Sequence, residues 1–254
     1  MIEGIAERFR CWRRTGRHKR LLAFALRARD LAESATQRLL LPWTIRRVKR
    51  LPHPLDRLAL VNLACRGLLG TIRPLQVRSE ILAFLHVVQQ SQPRRILEIG
   101  TANGGTLFLL ARVAAPDAQV ISLDLPHGPF GGGYPPWKIP LFEAFPVPGQ
   151  QLHLIRGNSH DPGVFDGVRQ LLDGSLDLLF IDGDHTYEGA KQDFETYGKL
   201  VRPGGMVALH DIAEHPRKFG GTVHRFWAEI RTRYPAQEFV EDQRQGYGIG
   251  LVRL

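Results

Sequence analysis

From Gln76 onward, apolar runs alternate with amphipathic stretches in a regular order, and that alternation limits the fold more than any other feature of the chain. "EILAFLHVVQQ" puts Ile81, Leu82, Leu85 and Val88 on one helical face. "RRILEIGT" then reads as a strand, "GGTLFLLARVA" as a helix and "QVISLDLP" as a strand. "LHLIRGNS", "LDLLFIDGD" and "GMVALHDI" continue the strands, with "VFDGVRQLL" and "YEGAKQDFETYGKLV" as the helices between them. "TVHRFWAEIRTRY" is the last helix, and "EFVED" with "GIGLVRL" close the chain. Strands that are continuous apolar runs, alternating with helices, predict a parallel sheet covered on both faces. "QRQGY" is too short for a crossover helix, so the closing pair must run antiparallel. The expected fold is α/β: a doubly wound, Rossmann-like, mostly parallel seven-stranded sheet with an antiparallel last strand at its edge. The irregular insert "HGPFGGGYPPWKIPLFEAF" cannot be a regular element. Gly131 to Gly133 give it mobility and Tyr134, Trp137 and Phe142 give it contact area, which suits a lid; a fixed cover is the alternative.

Charge divides the chain further. Residues 1–50 hold 14 Lys and Arg against 4 Asp and Glu, a net of +10, so all the basic excess behind the formal net charge of +9 belongs to the first fifth. Arg13, Arg14, Arg17, Lys19 and Arg20 precede a stretch with helical apolar spacing, and Pro52 and Pro54 read as a linker. Residues 1–75 are therefore expected to form a basic helical extension and residues 76–254 the main domain. The extension suits packing on the main domain or on a partner, a homo-oligomer included. It also suits peripheral contact with an anionic membrane surface. No nucleic-acid motif is present, so no nucleic-acid partner is expected. Cys11 and Cys65 cannot build a disulfide framework and lack metal-site spacing. The apolar stretch Leu21 to Leu26 is too short to span a bilayer, and a cytoplasmic location is expected.

In open α/β sheets, ligands bind beyond the carboxyl ends of the strands. "EIGTANGG" follows the first strand, with Gly100, Gly104 and Gly105 allowing a tight turn and close backbone approach. The spacing is not G-x-G-x-x-G, and Glu98 would put negative charge where a pyrophosphate ought to sit, which disfavours NAD and suits a cation-bearing ligand. Asp124, ending the second strand, is placed to accept hydrogen bonds from ribose hydroxyls.

The motifs "ILEIGTANGGT", "ISLDLP", "RGNSHD", "FIDGDHTYEG" and "LVRPGGMVALHDI", in this order, resemble class I S-adenosylmethionine-dependent methyltransferases over about Gln76 to Leu254. Within that superfamily the chain is similar to metal-dependent small-molecule O-methyltransferases related to catechol, macrolide-sugar and cephalosporin-biosynthesis enzymes. The resemblance implies that Glu98, Gly100, Thr101 and Gly104 surround the methionine part of S-adenosylmethionine, with Asp124 on the ribose. Ser159 and His160 would border the adenine; Ser159 and Asp161 equally suit helix capping.

Asp182 ends the fourth strand, while His210 and Asp211 end the fifth, its neighbour in such a fold. Two carboxylates and an imidazole there suit Mg²⁺ or Mn²⁺, with positions left for the hydroxyl of a small-molecule acceptor. Relatives often carry glutamate where His210 stands, and histidine shifts preference toward softer metals. The alternative is that Asp182 orients the cofactor and His210 is a core histidine. His185 lies in the turn before a helix, and its ordinary pKa of about 6.5 suits a general base for an alcohol or phenol. Gly183 and Asp184 would set the turn. The expected activity is methyl transfer to a hydroxyl of a small molecule, such as a sugar or glycosylated natural product. Two rivals remain: an Fe²⁺-dependent hydroxylase using Asp182, His185, His210 and Asp211, and a non-catalytic, membrane-docked partner protein.

Overall fold

The computed structural model describes residues 34–130, 133–214, 221–241 and 246–254. Cys11, the arginine cluster of Arg13 to Arg20, and Gly131 and Gly132 lie outside the described residues. The chain divides into two compact units, Met1–Pro42 and Trp43–Leu254, so the boundary falls well before Gln76. The described part of the first unit, 34–42, is helical. Residues 43–75 belong to the larger unit, which the expected boundary had placed in the extension. They contain the helical stretch 43–49, helix α1 (Arg57–Asn62) and the π-helical turn Leu63–Gly67.

The larger unit is built on the seven strands β1 (Arg95–Ile99), β2 (Gln119–Asp124), β3 (Gln151–Arg156), β4 (Leu176–Ile181), β5 (Val201–His210), β6 (Ala236–Phe239) and β7 (Ile249–Arg253). Their spatial order is β3-β2-β1-β4-β5-β7-β6. The first five run parallel, and β7 pairs antiparallel with both β5 and β6. The reversed strand thus exists as expected, but it is inserted between β5 and β6 rather than placed at the edge. The sequence supports the placement. β7 is apolar and buried at every position but the last, whereas β6 is exposed along three of four residues, which only an edge strand tolerates.

Helices α2 (Arg78–Ser91), α3 (Gly105–Val113), α4 (Pro162–Leu171), α5 (Tyr187–Tyr197) and α6 (Val223–Ile230) cover the sheet. Leu97, Ile121, Leu179 and Val207, one from each of four strands, pack with Val168 of α4, Phe194 of α5 and Phe226 and Trp227 of α6. The alternation of a strand sends Phe180 to the opposite face, where its ring lies 5.5 Å from that of Phe84 on α2. Burying such rings removes their full apolar area from water, worth roughly 1.5 to 3 kcal/mol for each side chain. Both faces are therefore closed, and the strand ends are where the chain exposes polar groups.

The insert after β2 departs from expectation. It contains a short helix, Ile139–Phe142, and of its aromatic residues Tyr134 and Phe142 are core rather than lid, while Trp137 is half-buried. Tyr134 and Phe142 are fully buried, with ring centroids 4.9 Å apart, and Phe145 packs on Phe108 of α3. Lys138 is buried too, donating to Thr71 O and Asn103 Oδ1. Residues 134–145 are thus a fixed cover, and only its start, Gly128 to Phe130 with Gly133, reaches the strand ends.

Candidate active site

A cleft opens beyond the carboxyl ends of β1, β2, β3 and β4. Gly100, with φ +91°, turns the chain off β1; a Cβ there would come within 2.0 Å of Asp182 O. The first loop and the end of β4 therefore touch backbone to backbone, an approach open only to glycine. Asp124 forms the facing wall. Its Oδ1 accepts from Thr101 N at 3.0 Å and its Oδ2 from Tyr134 N at 2.7 Å, so it ties both loops together while still lining the cleft. Asn158, Ser159 and His160 line the far end. His160 Nε2 lies 3.4 Å from the buried Asp193 Oδ1, and that carboxylate raises the imidazole pKa. Asp161 caps α4 by accepting from Gly163 N, as the capping alternative allowed, while Ser159 contributes its carbonyl to Tyr197 Oη.

Three residues expected around the cofactor sit elsewhere. Glu98 does not line the cleft; it is wholly buried behind the loop, where its Oε2 accepts from Thr101 Oγ1 at 2.7 Å. Its Oε1 has no partner among the described residues, and burial pushes its pKa well above the usual carboxylate range. Thr101 is buried and shared between Glu98 and Ser122, with an edge on a narrow crevice. Gly104, with φ +80°, caps α3 and faces the Phe142 ring, so it shapes the loop from behind.

The ends of β4 and β5 meet as expected. Asp182 Oδ1 lies 3.0 Å from His210 Nδ1, which lies 3.0 Å from Asp211 Oδ1 as well. His185 Nδ1 lies 2.9 Å from Asp211 Oδ2 and its Nε2 3.5 Å from Asp182 Oδ1. Asp182, His185 and Asp211 can each direct one donor atom to a common point, all within 4.8 Å of one another. His210 lies behind them, and it is His185 that occupies the imidazole position assigned to His210 from the sequence. Burial works against a charge on His210, but Asp182 and Asp211 outweigh it and push its pKa up to about 9. His185 is shifted the same way: burial lowers its pKa, and Asp211 and Asp182 raise it further. Asp211 has φ +61°, an uncommon backbone for a residue with a side chain, and such positions cluster where function over-determines geometry.

Local structure holds His185 in place. Asp184 Oδ1 accepts from Thr186 N, and Thr186 rather than Asp184 caps α5, accepting from Gly189 N. Thr222 N donates to His185 O, and the Phe130 ring stacks on the imidazole at 5.0 Å. Gln76 is a site residue that the sequence reading used only as a boundary. It donates from Nε2 to Asp182 Oδ2 at 2.7 Å and accepts from Thr106 Oγ1, fixing the second oxygen of the carboxylate.

The described residues lining the main cleft include Asp124, Asp182 and Asp184 and neither Lys nor Arg. An acidic cleft with apolar walls at Ile99, Leu123 and Leu125 fits a cationic nucleoside such as S-adenosylmethionine and repels a pyrophosphate. The Asp182, His185 and Asp211 donor set fits a divalent ion that accepts mixed oxygen and nitrogen ligands.

Comparison with known proteins agrees with this geometry. Residues 97–212 match a family described as "Methyltransferase domain". Among curated proteins, an uncharacterised protein of Sinorhizobium fredii is 29% identical over 170 residues, 65% of this chain and 18% of that one. An uncharacterised protein of Acanthamoeba polyphaga mimivirus is 34% identical over 71 residues, 28% of this chain and 32% of that one. The chain thus spans under a fifth of the first relative and about a third of the second. Two solved structures share the fold. One is the O-methyltransferase TomG of Streptomyces achromogenes, with 21% identity, 81% and 92% of the two chains covered and a TM-score of 0.52. The other is an O-methyltransferase of Bacillus cereus, with 22% identity, 82% and 96% covered and a TM-score of 0.52. A TDP-rhamnose 3′-O-methyltransferase of calicheamicin biosynthesis is similar at 18% identity, covering 84% and 93%, with a TM-score of 0.53. Residues 97–212 thus match a methyltransferase domain, and the sheet that carries them has the fold of the solved O-methyltransferases.

Proposed function

We propose that the protein transfers the methyl group of S-adenosylmethionine to a hydroxyl of a small molecule, with Asp182, His185 and Asp211 acting at the acceptor. The observation that carries this reading is the juxtaposition of an acidic nucleoside-sized cleft with that cluster across Gly100 and Asp182. Asp124 accepts from the ribose, while Asn158, Ser159 and His160 border the base. Most of the gain in such a displacement comes from alignment of the hydroxyl with the methyl carbon and sulfur, which the rigid strand ends supply. O-Methyl transfer is the activity for which these structural neighbours are named, and one of them is named for a sugar acceptor.

Asp182, His185 and Asp211 would hold Mg²⁺ or Mn²⁺, which when bound lowers the pKa of an acceptor hydroxyl. The 2.9 Å contact between His185 Nδ1 and Asp211 favours a second reading of the same cluster. In it Asp211 orients His185, and Nε2 takes the hydroxyl proton without a metal. A transfer assay with methyl-labelled S-adenosylmethionine and a panel of hydroxyl acceptors, with and without EDTA, tests both. Loss of transfer on chelation and recovery with Mn²⁺ supports the metal reading. Transfer that survives exhaustive chelation but collapses in His185→Ala supports the metal-free base. Oxygen-dependent turnover with Fe²⁺ and no label transferred would replace both with the hydroxylase reading.

A further inference from the structure

A second recess opens beside the first, and its walls include Cys65, Arg66, Arg73, Gln76, Arg78 and Tyr247. Its charge is opposite to that of the nucleoside cleft: the described residues lining it include three arginines and no carboxylate. Among the described residues no acid pairs with Arg66, Arg73 or Arg78, and Arg78 gives one nitrogen to the neutral Asn62 Oδ1 at 2.8 Å. The three groups act on a common point. Burial raises the pKa of the Cys65 thiol, and Arg78, Arg73 and Arg66 each pull it back. Positive charges gathered round a recess without counter-charges repel one another, and an entering anion relieves that repulsion.

This cavity borders the reaction centre. Arg73, Pro74, Leu75 and Gln76 also line the narrow crevice whose opposite wall is Gly100, Ala102 and Asp182. Those last three residues line the nucleoside cleft too. Gln76 bonds Asp182, and Tyr247 stacks on His210 at 6.2 Å between ring centroids. The cavity wall is also locally unusual. Leu63–Gly67, which supplies Cys65 and Arg66, is π-helical, a form found mostly as single turns at functional sites.

We propose that the arginine cavity binds a phosphate or diphosphate group of the methyl acceptor, so that the substrate class is a hydroxyl-bearing phosphoester rather than a neutral alcohol or phenol. This deepens, and rests on, the methyl-transfer reading of the Asp182 cluster. A guanidinium presents a planar fork that matches phosphate oxygens two at a time, and three forks suit a diphosphate better than a single carboxylate. The phosphate anchors one end of the acceptor, and the hydroxyl end reaches toward Asp182 on the side of Gln76. Leu69 and Leu75 are exposed nearby, which would also suit an anionic lipid surface. The recess and its border on the reaction centre favour the small molecule.

Calorimetry on the full chain with inorganic pyrophosphate, and separately with S-adenosylhomocysteine, tests the assignment. Pyrophosphate is expected to bind with a Kd below about 1 mM at low salt. The Arg66→Gln/Arg78→Gln variant changes two exposed residues that line only the arginine cavity. It should bind pyrophosphate at least about tenfold more weakly while keeping its Tm and its S-adenosylhomocysteine affinity. Failure of the wild type to bind pyrophosphate, or equal binding by the variant, overturns the proposal. Recruitment to phosphatidylserine vesicles that the variant loses, with no pyrophosphate binding, overturns it in favour of a lipid surface. Loss of S-adenosylhomocysteine binding by the wild type would instead strike the methyl-transfer reading, so the two failures are distinguishable.

Discussion

The nucleoside cleft and the arginine cavity share a border at Asp182 and Gln76 yet are built on opposite principles. The cleft is formed by strand ends whose polar groups are already engaged: Asp124 holds two loops through backbone amides, and Gly100 is pressed against the end of β4. It is acidic and narrow, and its geometry is fixed by the sheet. The cavity is formed largely by the π-helical turn and the segment leading into α2, and its arginines stand exposed with no acidic partner among the described residues. The difference assigns them different tasks: the pre-ordered acidic cleft suits a single cationic cofactor, whereas charge on a surface segment selects the acceptor by its anion. Between them lies Asp182, which lines the cleft and is bonded by Gln76 of the cavity wall.

If that division is right, substitutions should separate the two. The largest effect is expected from Gly100→Ala. At φ +91° with Asp182 O 2.0 Å from the added carbon, the loop must move, costing about 3 kcal/mol or more in denaturant melts. S-Adenosylhomocysteine binding should disappear in the same variant under conditions where it remains folded, while pyrophosphate binding persists. Asp211→Asn should come next. Asparagine tolerates the φ of +61°, so the fold survives. Mn²⁺ affinity should nevertheless fall by at least the ten- to hundredfold that losing even an outer partner of a metal site costs. Cofactor binding should stay within about twofold, because the carboxylate belongs to the acceptor side.

The smallest effect concerns Glu98, buried behind the cleft. Its carboxyl titrates above its ordinary value of 4.5, chiefly because burial disfavours the charge. A carboxyl raised on folding contributes most to stability below its unfolded value and loses that contribution as pH rises toward the folded one. Glu98→Gln removes the titration. The variant's Tm should therefore gain on the wild type as pH rises from 4.5 to 8, with no gain at the acid end.

Much of the architecture was legible because it depends on periodicity. The five parallel strands, the helices between them and the meeting of Asp182 with His210 and Asp211 all follow from apolar runs and their order. Where the signal was compositional it misled: Gly, Pro and aromatics after β2 resembled a lid, but Tyr134 and Phe142 bury their rings against each other and residues 134–145 are a fixed cover. The insertion of β7 between β5 and β6 is a choice among edge pairings, which hairpin length alone does not decide. The exchange between His185 and His210 reflects side-chain direction. Both follow strand ends, but one lies inside the strand's burial and the other in the turn beyond it. Gln76 contacts a residue 106 positions away and carries no local signal of that contact.

In the function proposed above, the acidic cleft holds the methyl-donor nucleoside with Asp124 on its ribose. Calorimetry with S-adenosylmethionine, S-adenosylhomocysteine and NAD on the wild type and on Asp124→Ala tests it directly. The prediction is micromolar affinity for both adenosyl compounds, and a loss of roughly ten- to a hundredfold in Asp124→Ala, the worth of one hydrogen bond to a charged group. NAD should bind weakly or not at all. Tighter binding of NAD than of S-adenosylmethionine, or unchanged affinity in a folded Asp124→Ala variant, would contradict it.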